Sequence, residues 1–454
     1  MSTNSLCQTL TVGLRSLIKN HKDQIKHVKQ LHKWTSSTSP KLKTFRQAQE
    51  IHVQLCSPDQ LQPKPEVSQL KFGTVFTDHM LQIEFNEQVG GWQAPSISPL
   101  KYLTLHPAAK VLHYAVELFE GMKAYRGVDG HIRMFRPDLN MDRMNRSALR
   151  AGLPQFDPEE MIQCLNRLIQ IDQEWVPHTT AASLYIRPTL IGTDPTLGVA
   201  VSSTALLYVI LCPVGSYFGT QVTKPVSLLA DPKYVRAWKG GCGDRKMGSN
   251  YGPTIAIQSE AIERGFNQLL WLYGEDHQVT EAGTMNIFFV IINDLGEMEM
   301  ITPQLDGLIL PGITRMSILE LSEQWNDYKV TERKITMPEI MQLSREKRIL
   351  ECFGSGTACI ISPIGNIHYE GNDILIPTLE QPNPICLRLL NKLSDIHYGR
   401  IEPPWARKIE FVFLQFLLNV MDDSDIRLTL FSSPRDVFID FKFHQYSKYF
   451  DLNR

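Results

Sequence analysis

The stretch GGCGDRKMGSNYGPT, residues 240–254, sets one lysine, Lys246, among five glycines, a tyrosine and a proline. Three readings suit a charged amine in so pliable a loop. It is a solvated turn that happens to carry a lysine. It is a phosphate-cradling loop, although the spacing does not match G-x-x-x-x-G-K-[ST]. Or it carries a lysine that must reach a cofactor's carbonyl and form a Schiff base. The rest of the chain decides between them.

At 454 residues, 43% hydrophobic and 21% charged, the chain has the composition of a soluble enzyme of two ordinary domains. A net charge of −2 gives no electrostatic reason to expect nucleic acid or an anionic membrane as partner. The eight cysteines show neither C-x-x-C nor metal-type spacing, so they read as thiols in a reducing compartment, with no metal site expected. The nearest approach to a membrane span, residues 409–421, is interrupted by Glu410, Gln415 and Asn419 and is shorter than the ~20 residues required.

The two ends differ from the middle. Residues 1–46 hold nine Lys/Arg against one acid, Asp23, with Leu10, Leu14, Leu17 and Ile18 on one helical face. Basic, amphipathic and acid-poor is the signature of a mitochondrial transit peptide, so a mitochondrial location is expected, with an ordinary basic tail and a cytoplasmic location as the alternative. Residues 47–70 read as a lead-in, and residues 403–454 as an atypical, aromatic-rich extension.

Between them lies an α/β layout: a smaller α/β domain over 71–214, an interdomain linker over 215–225 within a break that begins at 212, and a larger cofactor-binding domain over 226–402. Residues 157–175 predict a helix, capped by Asp157 with Pro158 in its first turn. Residues 204–214 predict a buried strand, 253–265 a helix, and 268–273, 286–292 and 297–301 consecutive strands with a turn at Asn293–Gly296. Residues 311–325 predict a loop leading into a helix, and 353–358 a small-residue loop.

If Lys246 holds pyridoxal phosphate, that cofactor needs a guanidinium and free amides for its phosphate, a carboxylate for its ring nitrogen and a donor for its phenolic oxygen. Arg143 in LNMDRM, Glu281 in VTEAGTMN and Tyr251 in NYGPT are candidates, and LPGITR and SGTA are loops whose amides suit a phosphate. Taken singly, each is also readable as a salt-bridge end, a surface acid, a core aromatic or a plain turn.

Their joint order carries more. FGTVFTDHM, LHYAVELFEGMKAYRG, FRPDLNMDRM, SLYIRP, GTDPTLGV, GDRKMGSNYGPT, LLWLYGEDHQVTEAGTMNIF, ILPGITR and FGSGTACIISP run collinearly from Phe72 to Arg400. On these motifs the chain resembles the branched-chain amino-acid aminotransferases, of the fold-type IV group of pyridoxal-phosphate enzymes. The resemblance implies two domains, a smaller α/β one and a larger pseudo-barrel, with the cofactor between them. It implies amino transfer from L-leucine, L-isoleucine or L-valine to 2-oxoglutarate, giving L-glutamate and the branched-chain 2-oxo acid.

Position by position, it makes Lys246 the Schiff-base lysine and proton shuttle. Arg143 becomes a phosphate ligand with Ile313, Thr314 and Thr357, Glu281 the partner of the ring nitrogen, and Tyr251 that of the phenolic oxygen. Phe72, Tyr114, Phe119, Tyr185, Tyr217 and Thr284 line the side-chain pocket, Arg187 receives glutamate's distal carboxylate, and the GTMN and SGTA backbone, including Ala358, holds the α-carboxylate. Leu197 and Val199 match a loop given to a partner subunit, implying a homodimer.

The chain departs from the family pattern at Arg245, at Ser249, at Cys359-Ile-Ile-Ser362 in place of a redox-active C-x-x-C, and in its tail. The tail keeps open a second reading, a non-catalytic relative whose activity the extension blocks. A third is a fold-type IV enzyme acting on D-amino acids or aminodeoxychorismate, against which YIRP and the aromatic pocket set argue.

Overall fold

The computed structural model describes residues 50–215, 224–401 and 405–410. The expected basic segment 1–46, Tyr217 and residues 411–454 lie outside the described residues.

The first sheet is built from β1 (His52–Val53), β2 (His79–Asn86), β3 (Gly91–Trp92), β4 (Ser96–Pro99), β5 (Glu117–Phe119), β6 (Met122–Arg126), β7 (Ile132–Phe135), β8 (Ala182–Gly192) and β9 (Thr204–Gly215). Its main path runs β1-β4-β2-β9-β8-β6-β7, with β3 on β2 and β5 on β8. The strand expected over 204–214 runs on to Gly215. The break therefore starts later than residue 212, because Cys212–Gly215 pair with Ala182–Tyr185.

Three helices accompany this sheet: α1 (Lys110–Tyr114), α2 (Pro137–Ala151) and α3 (Pro158–Ile171). In α3 the Asp157 carboxylate accepts from the Glu159 and Glu160 amides, satisfying donors the helix leaves free. The helix ends at Ile171, and Gln173–Trp175 form a separate 3-10 turn. Met161, Leu165, Leu168 and Ile169 of α3 pack with Met141, Met144 and Ala148 of α2 in one core with Ile83, Leu184 and Leu207 of the sheet.

The second sheet comprises β10 (Val226–Ala230), β11 (Gln268–Tyr273), β12 (Gln278–Ala282), β13 (Met285–Ile292), β14 (Met298–Thr302), β15 (Lys329–Glu332), β16 (Ile349–Gly356), β17 (Ile360–Tyr369) and β18 (Asn372–Leu375). Pairing passes β12-β11-β10-β17-β16-β13, and β13 also pairs with β12, so six strands close on themselves. This closed ring is the expected pseudo-barrel.

Strand periodicity fills it. Ile287, Phe289 and Ile291 face one core with Leu228, Leu270 and Ile364. The alternating Phe288 and Val290 face another, with Phe353, Ile318 and Leu389, and there the Phe288 and Phe353 rings stack at 5.1 Å. The helices here are α4 (Thr254–Glu263), α5 (Ile313–Trp325), α6 (Met337–Arg345) and α7 (Ile385–His397).

The small-residue segment 353–358 is not simply a loop. Phe353–Gly356 belong to β16, since β13 and β17 flank them on both sides and tertiary pairing overrides the weak strand propensity of Gly and Ser.

The chain then returns to the first sheet. β19 (Ala406–Lys408) pairs antiparallel with β7, and Ile409 is buried in that sheet's core. The start of the supposed extension is thus part of the fold. No helix among the described residues is long and apolar enough to cross a membrane.

Candidate active site

Lys246 lies on the segment between β10 and α4, and that segment docks on the first sheet. Its carbonyl accepts from the Phe119 amide at 3.1 Å, and Met247 bridges to Leu118 of β5. The Lys246 amide donates to Ser147 Oγ of α2 at 3.0 Å. Lys246 thus comes from a segment of the second sheet's unit and is fixed by residues of the first.

The glycines around it serve close approach more than flexibility. A Cβ on Gly248 would stand 1.8 Å from Glu117 Oε1, and one on Gly243 would stand 2.7 Å from the Leu308 carbonyl. Only Gly240 of this stretch has positive φ. Asn250, almost fully buried, closes the loop by donating from Nδ2 to the Cys242 and Arg245 carbonyls, both at 2.7 Å.

Lys246 Nζ is 3.3 Å from the Tyr251 hydroxyl and 4.8 Å from the centre of the Phe119 ring. Phe119 and Tyr251 are in ring contact at 5.0 Å. Tyr185 and Arg187, two apart on β8, share a face. The Arg187 guanidinium donates to Tyr185 Oη at 3.0 Å and lies 4.7 Å from the Phe119 ring. Phe72 meets Tyr185 edge-on at 4.9 Å. Gly121 makes room for this cluster, since a Cβ there would stand 2.0 Å from Tyr185 Oη. The Arg187 Nε is buried and without a partner.

Arg143 and Ser147, four apart on α2, also share a face. The Arg143 Nε and Nη2 engage the two oxygens of Glu120 at 2.7 and 2.8 Å, and Nη1 donates to the Pro311 carbonyl at 3.0 Å. Burial alone would raise the Glu120 carboxyl, but the facing Arg143 guanidinium outweighs it and holds the group below its ordinary range. Pro311 leads into α5, whose first residues are Ile313 and Thr314 and whose start is capped by no side chain. Ile313, Thr314 and Thr357 line one small cavity.

Across the site, Glu281 of β12 is buried. Its Oε1 accepts from the Leu310 amide at 2.9 Å and its Oε2 faces Arg236 at 2.8 Å. Burial wins here and pushes the carboxyl up, although Arg236, the Leu310 amide and Lys246 pull it down.

These residues fit a phosphorylated, aldehyde-bearing, nitrogen-ring cofactor. An uncapped helix start beside a buried guanidinium suits a phosphate. A buried, incompletely compensated carboxyl suits a protonated ring nitrogen, and an amine beside a phenol hydroxyl suits the carbonyl end.

The structure thus brings together Lys246, Tyr251, Phe119, Tyr185, Arg187 and Phe72, and groups Ile313, Thr314 and Thr357. The other expected residues have contacts of their own. Tyr114 is 40% exposed and donates its hydroxyl to the Leu197 carbonyl. Thr284 is exposed, with its carbonyl beside Gly356, and Ala358 turns its carbonyl toward Lys123. The sequence reading missed Glu120, Arg236, Ser147 and Asn250. Glu120 lay inside the quoted LFEGMK, where a buried arginine's need for a carboxylate was the available signal.

The departures from the family pattern are mild in their surroundings. Arg245 pairs with its neighbour Asp244, and Ser249 Oγ lies 3.9 Å from the Cys242 sulfur. Cys359 is buried against Met285, and burial pushes its thiol up to about 11.

A family model described as class IV amino-transferase matches residues 117–367. The chain is 58% identical over 346 residues to the cytosolic branched-chain-amino-acid aminotransferase of Mus musculus, covering 76% of this chain and 89% of that one. It is 51% identical over 362 residues to the mitochondrial enzyme of Rattus norvegicus, covering 80% and 92%. In three dimensions it matches the branched-chain aminotransferase of Thermoproteus uzoniensis, solved with norvaline, at a TM-score of 0.58 and 24% identity, over 69% of this chain and 97% of that one. That likeness shows the fold. The family model and the two sequence relatives place the chain in the class IV aminotransferases, as a member of the branched-chain-amino-acid aminotransferase family.

Proposed function

We propose that this chain is a pyridoxal-phosphate-dependent transaminase that moves the amino group of L-leucine, L-isoleucine or L-valine to 2-oxoglutarate, yielding L-glutamate and the 2-oxo acid. The observation that carries it is the placement of Lys246 Nζ, 3.3 Å from the Tyr251 hydroxyl and against Phe119, with Arg143 and Glu281 on either side. The cofactor supplies an electrophilic carbonyl and an electron-withdrawing ring.

The chain's own residues do the rest. Arg143 and the first amides of α5 hold the phosphate, aided by Thr357. Glu281, kept in place by Arg236 and the Leu310 amide, keeps a proton on the ring nitrogen. Tyr251 orients the carbonyl end, and Lys246 Nζ takes the proton from the substrate Cα and returns it. Phe72, Phe119 and Tyr185 offer an aromatic wall to a branched aliphatic side chain. Arg187, with a free Nε, suits glutamate's distal carboxylate, so one pocket serves both half-reactions.

The cofactor sits between units of residues 71–214 and 226–402. Leu197, Val199 and Val201 are 64%, 86% and 75% exposed, which supports a homodimer that covers this loop; light scattering on the purified chain tests it. The basic segment 1–46 supports mitochondrial import, while the cytosolic relatives support the cytosol. Imaging the full chain with and without residues 1–46 decides between them.

The activity test is glutamate formation from 2-oxoglutarate with each branched-chain L-amino acid. The reading predicts turnover with all three and none with D-alanine. Turnover with D-alanine alone would overturn it.

A further inference from the structure

Lys123 is a buried cation that the roles above leave unused. It lies on β6, 5% exposed, in a segment facing the second sheet. Its ammonium donates to the Ala358 carbonyl at 2.8 Å, across 235 residues of sequence. Among the described residues no carboxylate pairs with it. Burial drives its pKa down to about 8, with only the Cys359 thiol acting the other way.

One small cavity brings Lys123 together with Asn140, Ile313, Thr314, Thr357 and His397. Burial and the charge of Lys123 push His397 down to about 3, so its ring is neutral, and its Nδ1 has no partner. Nothing protein-borne in this cavity balances the ammonium. A buried charge without a counter-charge is costly, and an anion bound in this cavity would relieve that cost. Three of the lining residues are those proposed above to hold the cofactor's phosphate.

We infer that Lys123 is a further phosphate-recognising residue. It places a second positive charge behind the cradle that Arg143 and the start of α5 form, and its bond to Ala358 braces the Thr357–Ala358 turn. The inference rests on the proposed cofactor. It adds a charge that neither LFEGMK nor the residues matched to the phosphate suggested.

The test is cofactor binding, not turnover. The apo form of the full chain is titrated with pyridoxal phosphate and with pyridoxal, which lacks the phosphate, following tryptophan fluorescence. The ratio of the two dissociation constants reads phosphate recognition alone. Lys123→Met and Lys123→Gln should each cut that ratio about tenfold or more, the worth of one charge-assisted contact, while Lys123→Arg keeps most of it. Lys123→Gln retains a donor for Ala358, so it separates charge from bracing and guards against a methionine variant that fails to fold. Equal weakening of both ligands, or an unchanged ratio in Lys123→Gln, would overturn the inference. A parent chain that binds neither ligand would instead overturn the cofactor reading itself.

Discussion

Two buried carboxylates flank Lys246, each facing an arginine, and they behave oppositely. Glu120 gives both oxygens to Arg143, takes a further bond from Asn140 at 2.8 Å, and is held below its ordinary range. Glu281 has one amide and a single arginine contact, and burial pushes it up. The difference is one of completeness. Glu120 is a finished ion pair that fixes the angle of Arg143. Glu281 is short of positive charge, which under the proposed function a cationic ring nitrogen would supply.

Replacing the lysine between them should have the largest effect. Lys246→Ala is expected to lower turnover to below about 10⁻⁴ of the parent, since the Cα proton loses its carrier; a steady-state glutamate assay checks it. Glu281→Gln should lower kcat by about 10²–10³-fold, the usual loss when a transition-state charge partner is removed. The chain should remain folded, because Arg236 keeps the Leu308 and Gly243 carbonyls at 2.6 and 3.4 Å.

Glu120→Gln should do the reverse, costing about 3–5 kcal/mol of stability by stranding a buried guanidinium, as read by urea unfolding. Because the folded-state pKa of Glu120 is depressed, its stabilisation is present above its ordinary value of 4.5 and lost as pH falls through the lower folded value. Parent and variant should therefore converge in acid.

Lys123 gives a smaller effect with the same pH sense, in a more alkaline window. Its pKa drops from 10.5 to about 8 on folding. Between those values the unfolded chain binds more protons, and apo-protein stability rises with pH, by roughly 3 kcal/mol over that interval. Lys123→Met should lack this rise in a urea series from pH 7.5 to 10.5. The smallest change belongs to Arg245→Ala. Its partner Asp244 is adjacent in sequence and both are partly exposed, so kcat/KM should stay within about twofold and stability within about 1 kcal/mol.

What the sequence revealed follows the range of the interactions. Lys246 and Tyr251 were legible because five residues of one loop place both, and Gly243 and Gly248 because close backbone approach leaves no room for Cβ. Asp157 and Pro158 marked the start of α3 for the same local reason. Long-range partners carried no such mark. Arg143 meets Pro311 across 168 residues and Lys123 meets Ala358 across 235. Closure of the ring by β12 and β13, and the use of Gly354 and Ser355 as strand, are set by neighbours in space that hydrophobic period does not encode. The family motifs supplied the remaining roles. Neither motif nor period placed β19 in the first sheet.

The most direct measurement is the visible absorption spectrum of the purified full-length chain, before and after L-leucine is added without any 2-oxo acid. The account predicts a bound-cofactor band that L-leucine removes, with 2-oxo acid released in equal amount, and that 2-oxoglutarate restores. A cofactor band that L-leucine leaves unchanged would contradict it.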